Sequence, residues 1–259
     1  MDGMDLQEFL NSGVFSFMLT FVRLGAVFLL MPGLGDAFVP VRVRILLALA
    51  LTLVLTPVVG PEIPDPEPGP LELFGLIGYE FVIGLFIGGA ARIFQATLDI
   101  AGQIISLIAG LQNAQLFNPV LGGQGSIIGG FLGVTGVALF MAANLHHLVI
   151  MGLVNSYQLF PFGVAPPIND MTYSFARLVN HAFLIGFQIA SPFIVVGLMI
   201  HMVSGVIARI IPQVQAFILV LPLQILVALI TLGFVTSAIF IFWIKSFESG
   251  MTYIFMGGG

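Results

Sequence analysis

Gly110–Ser126 reads GLQNAQLFNPVLGGQGS, a polar, glycine-rich segment set between two apolar runs. It lies inside a 70-residue stretch, Ile100 to Asn169, that carries no Asp, Glu, Lys or Arg. Irregular backbone cannot face lipid, so at membrane depth it must be sheltered by protein or line an aqueous path. A charge-free middle interrupted in this way points to a chain organised around a conduit.

The flanking sequence supplies the membrane. Of 259 residues, 59% are hydrophobic and 7% charged, where an ordinary soluble domain carries about 25% charged residues. Mean hydropathy is +1.14. The fold class is therefore an all-α membrane protein. Crossing a hydrocarbon core takes about 20 residues, and apolar runs of that order lie at 14–34, 43–60, 72–92, 127–153, 178–206 and 214–243. The shorter run 97–109 is a seventh candidate. The start MDGMDLQEF is acidic, whereas a signal sequence carries positive charge there, so the first run is expected to be retained.

Seven basic residues against twelve acidic ones, net −5, argue against nucleic acid and against a polybasic grip on anionic lipid. With no cysteine there are no disulfides, thiolate metal sites or cysteine nucleophiles. His146 and His147 are adjacent, a spacing expected to send them to different faces of a helix, so no metal and no cofactor is expected. Arg42, Arg44, Arg92 and Arg209 share one side if six spans alternate from an outside N-terminus. The proline-rich acidic loop GPEIPDPEPGP, 60–70, then lies outside.

Several runs are interrupted. Pro192 sits within 178–206, and Pro212 and Pro222 bracket the start of the last run, where proline kinks a helix and frees carbonyls that must be satisfied otherwise. Small residues cluster in GLFIGGAAR (Gly84, Gly88, Gly89) and in GGFLGVTG (Gly129, Gly130, Gly133, Gly136), and are expected to let helices approach closely. Arg23, Glu80, Arg92 and Asp99 fall within or at the ends of apolar runs. Intramembrane charge is costly, so these residues form either an ion relay or structural pairs. Arg92 and Asp99 share a helical face but stand two turns apart, too far to pair directly. His181 and His201 are expected to bond neighbouring helices. None of Ser106, Ser126, Ser156, Ser191 and Ser204 has the neighbouring base that a nucleophile needs, so no enzyme activity is expected.

The punctuation is more specific than the composition. Met31–Pro57 reads MPGLGDAFVPVRVRILLALALTLVLTP, Tyr79–Phe94 reads YEFVIGLFIGGAARIF, and Ala101–Pro119 reads AGQIISLIAGLQNAQLFNP. Ser191–Ile225 reads SPFIVVGLMIHMVSGVIARIIPQVQAFILVLPLQI, with Arg209, Pro212, Gln213, Phe217 and Pro222 in order. Together these resemble the FliR family of flagellar biosynthetic proteins, whose relatives serve the type III secretion injectisome. The resemblance runs from about residue 14 to 245.

It implies one subunit of a helical export gate in the bacterial inner membrane, at the flagellar basal body, built with FliP and FliQ, joined by FlhB and passing unfolded substrates. It also implies kinked helical hairpins, with a FliP-like part over 1–175 and a FliQ-like part over 176–259. The loop YQLFPFGVAPPINDMTYSF, Tyr157–Phe175, is where the sequence itself breaks. On this reading Gly110–Ser126 is a plug: Leu111, Leu116, Phe117 and Val120 close the pore, while Asn118, Pro119, Gly122 and Gly123 turn the backbone. Arg23, Glu80, Gly84, Gly88, Arg92, Arg209, Pro212 and Gln213 are the intramembrane polar and packing positions. Two alternatives stand beside it: the segment is an ordinary turn between hairpin helices, or the chain is a secondary transporter using Glu80, Asp99 and Pro192.

Overall fold

The computed structural model describes residues 6–59, 69–112, 126–210 and 216–255. These form seven helices, and among the described residues there is no strand. They are α1 (Leu6–Leu30), α2 (Val41–Val59), α3 (Pro70–Ile108), α4 (Ile127–Ala142), α5 (Leu145–Leu159), α6 (Ile168–Ile210) and α7 (Ala216–Phe255).

Five helices are long and apolar enough to cross a membrane, and α4 with α5 gives up to a sixth. That pair follows the expected run 127–153 but is bent by 69°. The bend falls at Asn144, whose φ of 59° lies in the left-handed region that a short polar side chain tolerates. The run 97–109 is no separate span. It continues 72–92 as the second half of α3, a 39-residue helix about 58 Å long at 1.5 Å per residue. The prolines also act more gently than their spacing suggests, since Pro57, Pro192 and Pro222 all lie inside helices. At Pro192 the reason is local. Its ring leaves the carbonyl of Gln188 without an amide donor, and the Ser191 hydroxyl donates to that carbonyl at 2.7 Å.

The chain divides into two compact units. The first holds residues 1–93, 140–178 and 247–259, and the second holds 94–139 and 179–246. In the first unit α1 packs on α2, and α3 lies so close to α1 that a Cβ on Gly84 would stand 2.3 Å from the Arg23 carbonyl oxygen. The GLFIGGAAR cluster is thus a contact surface. Phe15, Leu19 and Leu76 form a core here, covered by Met18, Leu73, Ile77 and Phe162. In the second unit the end of α3 runs antiparallel to α4: Gly102 meets Gly129, and Leu98 and Gln95 meet Gly136. A Cβ on Gly102 would fall 2.2 Å from the Gly129 Cα, so the two backbones touch with no side chain between them. Trp243 of α7, fully buried, donates its indole N–H to the Phe94 carbonyl at 2.9 Å.

Candidate functional site

In the first unit the sequence's isolated charges find each other. Arg23 on α1 and Glu80 on α3 are both buried, and the guanidinium meets the carboxylate through two bonds, Nε to Oε2 at 2.5 Å and Nη2 to Oε1 at 3.0 Å. Arg23 also donates to Ser156 Oγ at 3.1 Å and to the Phe160 carbonyl at 3.0 Å. Its face is covered by the Tyr157 ring, whose centroid lies 3.9 Å from Cζ. Tyr157 in turn packs on Phe162 with ring centroids 4.8 Å apart. The planar five-donor fork of arginine suits this site, because one side chain satisfies a carboxylate, a hydroxyl and a carbonyl at once. The result joins α1, α3, α5 and the turn after α5. Of the two readings of these charges, the arrangement favours structural pairing, since every partner is a fixed element of the fold.

Arg92 finds a partner other than Asp99. Its Nη1 bonds Asp36 Oδ1 at 2.6 Å in a half-exposed setting, and Asp36 Oδ2 accepts the Gly33 amide at 2.8 Å. Arg44 donates to the carbonyls of Leu34 and Asp36 at 2.8 and 3.1 Å. The α1–α2 connection is therefore clasped by two arginines and one aspartate. Asp99 is exposed on α3 and lies near Gly133 of α4, where an added Cβ would approach its Oδ1 to 3.0 Å. His201 also differs from expectation. His201 bonds the Gly197 carbonyl of its own helix at 2.7 Å, as a buried i−4 carbonyl invites, in place of a neighbouring helix. The rings of His146 and His147 lie 4.1 Å apart at the start of α5, just after the Asn144 bend.

The second unit frames the charge-free segment. Residues 113–125 lie outside the described residues, so Leu116, Phe117, Asn118, Pro119, Val120, Gly122 and Gly123 are not placed; Pro212 and Gln213 fall outside as well. Both borders are placed. On the leading side α3 ends at Ile108, Gly110 turns with φ of 74°, and half-buried Leu111 follows. The Ile108 carbonyl accepts a hydrogen bond from Gln224 Nε2 of α7. On the trailing side Ser126 precedes α4. Its hydroxyl accepts the Gly129 amide at 2.7 Å, donates to the Gly102 carbonyl at 2.8 Å and stands 2.7 Å from Ser106 Oγ. Ser126 is thus an N-cap for α4 that also grips α3. The chain leaves α3 and returns to it within hydrogen-bonding distance.

Sequence reasoning passed over Gln224 and Ser126. Gln224 was visible as the only amide in the Pro222-Leu223-Gln224-Ile225 block. Ser126 was visible as a hydroxyl immediately before an apolar run, the usual sign of a helix start. Arg209 is exposed in the last turn of α6, where a cation suits the helix dipole.

Long apolar helices, paired internal charges and a doubly anchored hairpin define a multi-pass helical membrane protein. Residues 14–250 match the model of the bacterial export proteins, family 1, and the chain belongs to that family. It is similar to the flagellar biosynthetic protein FliR of Caulobacter vibrioides, 38% identical over 87% of this chain and 90% of that one. It is 30% identical to FliR of Bacillus subtilis over 87% and 88%. The Yop proteins translocation protein T of Yersinia pestis is 28% identical over 59% of both.

Proposed function

We propose that this chain is the FliR-type subunit of the flagellar type III export apparatus, an inner-membrane protein that builds a gated pore with FliP and FliQ, contacts FlhB and passes unfolded substrates. The observation that carries this reading is likeness to flagellar FliR over nine-tenths of the Caulobacter relative's length. The injectisome relative covers less of the chain at lower identity, which favours the flagellar system. Two features of the helices support a multi-subunit assembly. Helices α3, α6 and α7 each exceed the roughly 30 Å of a hydrocarbon core by a wide margin. Helix α6 also exposes His181 and Gln188 among Phe183, Leu184 and Phe187, and polar groups on an apolar helix serve as contacts between helices.

Within that assembly Gly110–Ser126 is the plug. A hydrophobic constriction holds back ions by dewetting while leaving flexible substrate free to pass, and Leu111, Leu116, Phe117 and Val120 supply the apolar surface. Residues 1–175 form the FliP-like part and 176–259 the FliQ-like part. Deleting the gene should abolish secretion of filament protein and motility, and the chain should copurify with two small hydrophobic subunits. Intact secretion in the deletion strain, or a chain that stays monomeric and takes up a solute alone in liposomes, overturns the reading in favour of a transporter.

A further inference from the structure

The connection between α1 and α2 gathers basic side chains that stand far apart in sequence. Arg44 holds the carbonyls of Leu34 and Asp36, and Arg92 reaches the same Asp36 from α3, so two guanidinium groups converge on one residue. Arg42 lies exposed in the first turn of α2, and among the described residues it has neither an ion pair nor a hydrogen bond. That turn contains no acidic residue, and a cation is disfavoured beside the positive end of a helix dipole. Fold stability therefore gives no reason for an arginine at 42. Asp36 is the one carboxylate between Met31 and Val59, and both its oxygens are engaged, by Arg92 and by the Gly33 amide. Three arginines against one aspartate leave a local excess of positive charge in a chain whose net charge is −5.

The level of this cluster along the helices decides what faces it. It lies between the end of α1 at Leu30 and the start of α2 at Val41, and α3 rises about 33 Å from Pro70 to Arg92, close to the roughly 30 Å of a hydrocarbon core. The arginines thus stand where these helices leave the hydrocarbon, at the depth of lipid headgroups. Beside them Phe38, Val41 and Leu46 are largely exposed. A phospholipid suits both features, its phosphate meeting the guanidinium forks and its chains meeting the apolar side chains, whereas a soluble anion leaves the apolar flank bare. We propose that Arg42, Arg44 and Arg92 form a headgroup site for an anionic phospholipid, with Phe38, Val41 and Leu46 against its acyl chains. Net charge argues against a grip on anionic lipid because it averages over the chain; folding brings Arg92 to Arg44 across 48 positions. The site is independent of the plug and stands whether or not the chain gates a pore.

The test takes the full chain, with whatever subunits copurify, in neutral detergent and titrates it with phosphatidylglycerol or phosphatidylcholine, counting bound lipid by native mass spectrometry. The parent should bind phosphatidylglycerol in preference to phosphatidylcholine. Arg42→Gln removes the arginine that makes no contact within the fold and should lower the affinity for phosphatidylglycerol roughly fivefold, one basic side chain's share at an anionic surface. Arg42→Lys keeps the charge without the planar fork and should lose less. Lys245→Gln removes one exposed charge elsewhere and should change nothing. Equal binding of the two lipids by the parent overturns the proposal, and so does an equal loss in K245Q, which makes the effect one of net charge. Displacement of phosphatidylglycerol by excess inorganic phosphate overturns it in favour of a free-anion site. Unchanged lipid binding in R42Q, with a copurifying protein lost, overturns it in favour of an acidic protein segment. Should R42Q fail to accumulate, the parent's selectivity between the two lipids and the R42K titration decide the matter.

Discussion

Arg23 and Glu80 show how a membrane chain keeps charge at depth: bidentate geometry, a hydroxyl, a carbonyl and an aromatic face surround one guanidinium. Removing one partner leaves the other buried and uncompensated, at a cost of about 3–5 kcal/mol. Arg23→Ala or Glu80→Ala should therefore cut the yield of assembled complex severely, as read by detergent extraction and native gels. Replacing both by apolar residues of similar volume, Arg23→Met with Glu80→Leu, should restore much of that yield and also restore secretion, because a structural pair needs no charge. A relay would stay inactive in the double variant however well it assembled. Gly84 gives a second expectation at this scale. A valine there would drive carbon into the Arg23 carbonyl, so Gly84→Val should cost about 1–3 kcal/mol of overpacking and lower the temperature at which the extracted protein aggregates.

At the scale of elements, helix identity was legible from hydropathy, because runs of apolar residues mark buried or lipid-facing helices whatever their partners. Helix length was not. The apolar runs 72–92 and 97–109 stand apart in sequence, yet α3 runs unbroken through residues 93–96, Ile-Phe-Gln-Ala, with Arg92 drawn off to Asp36. Pro192 looked like a break because the ring removes a hydrogen bond, and the remedy is a side chain that periodicity cannot reveal. Ser191→Ala should therefore destabilise α6 by about 1 kcal/mol in the parent and by much less in a Pro192→Ala background, where an amide again serves Gln188. A double-mutant cycle on thermal stability checks this, and equal costs in both backgrounds would contradict it. The packing glycines were legible as small-residue clusters. Their partners were not, since spacing along one helix says nothing about which helix comes to meet it. The Arg23–Glu80 pair was open as one of two readings, and the Gln224 and Ser126 anchors were missed because each bridges residues far apart in sequence.

At the scale of the whole molecule, much apolar surface stays uncovered. Only 17% of the α2 span and 17% of the α7 span are buried, so these helices must meet lipid or other subunits, and membership of an export-protein family supports subunits for a share of that surface. We propose that the charge-free segment 110–126 closes a pore which those subunits complete. The most direct test is ion conductance of membranes carrying the assembled complex in which residues 111–121 have been deleted. If the segment is the plug, leak rises clearly over the parent with the complex intact by copurification; an intact complex as tight as the parent shows that the segment does not close the pore.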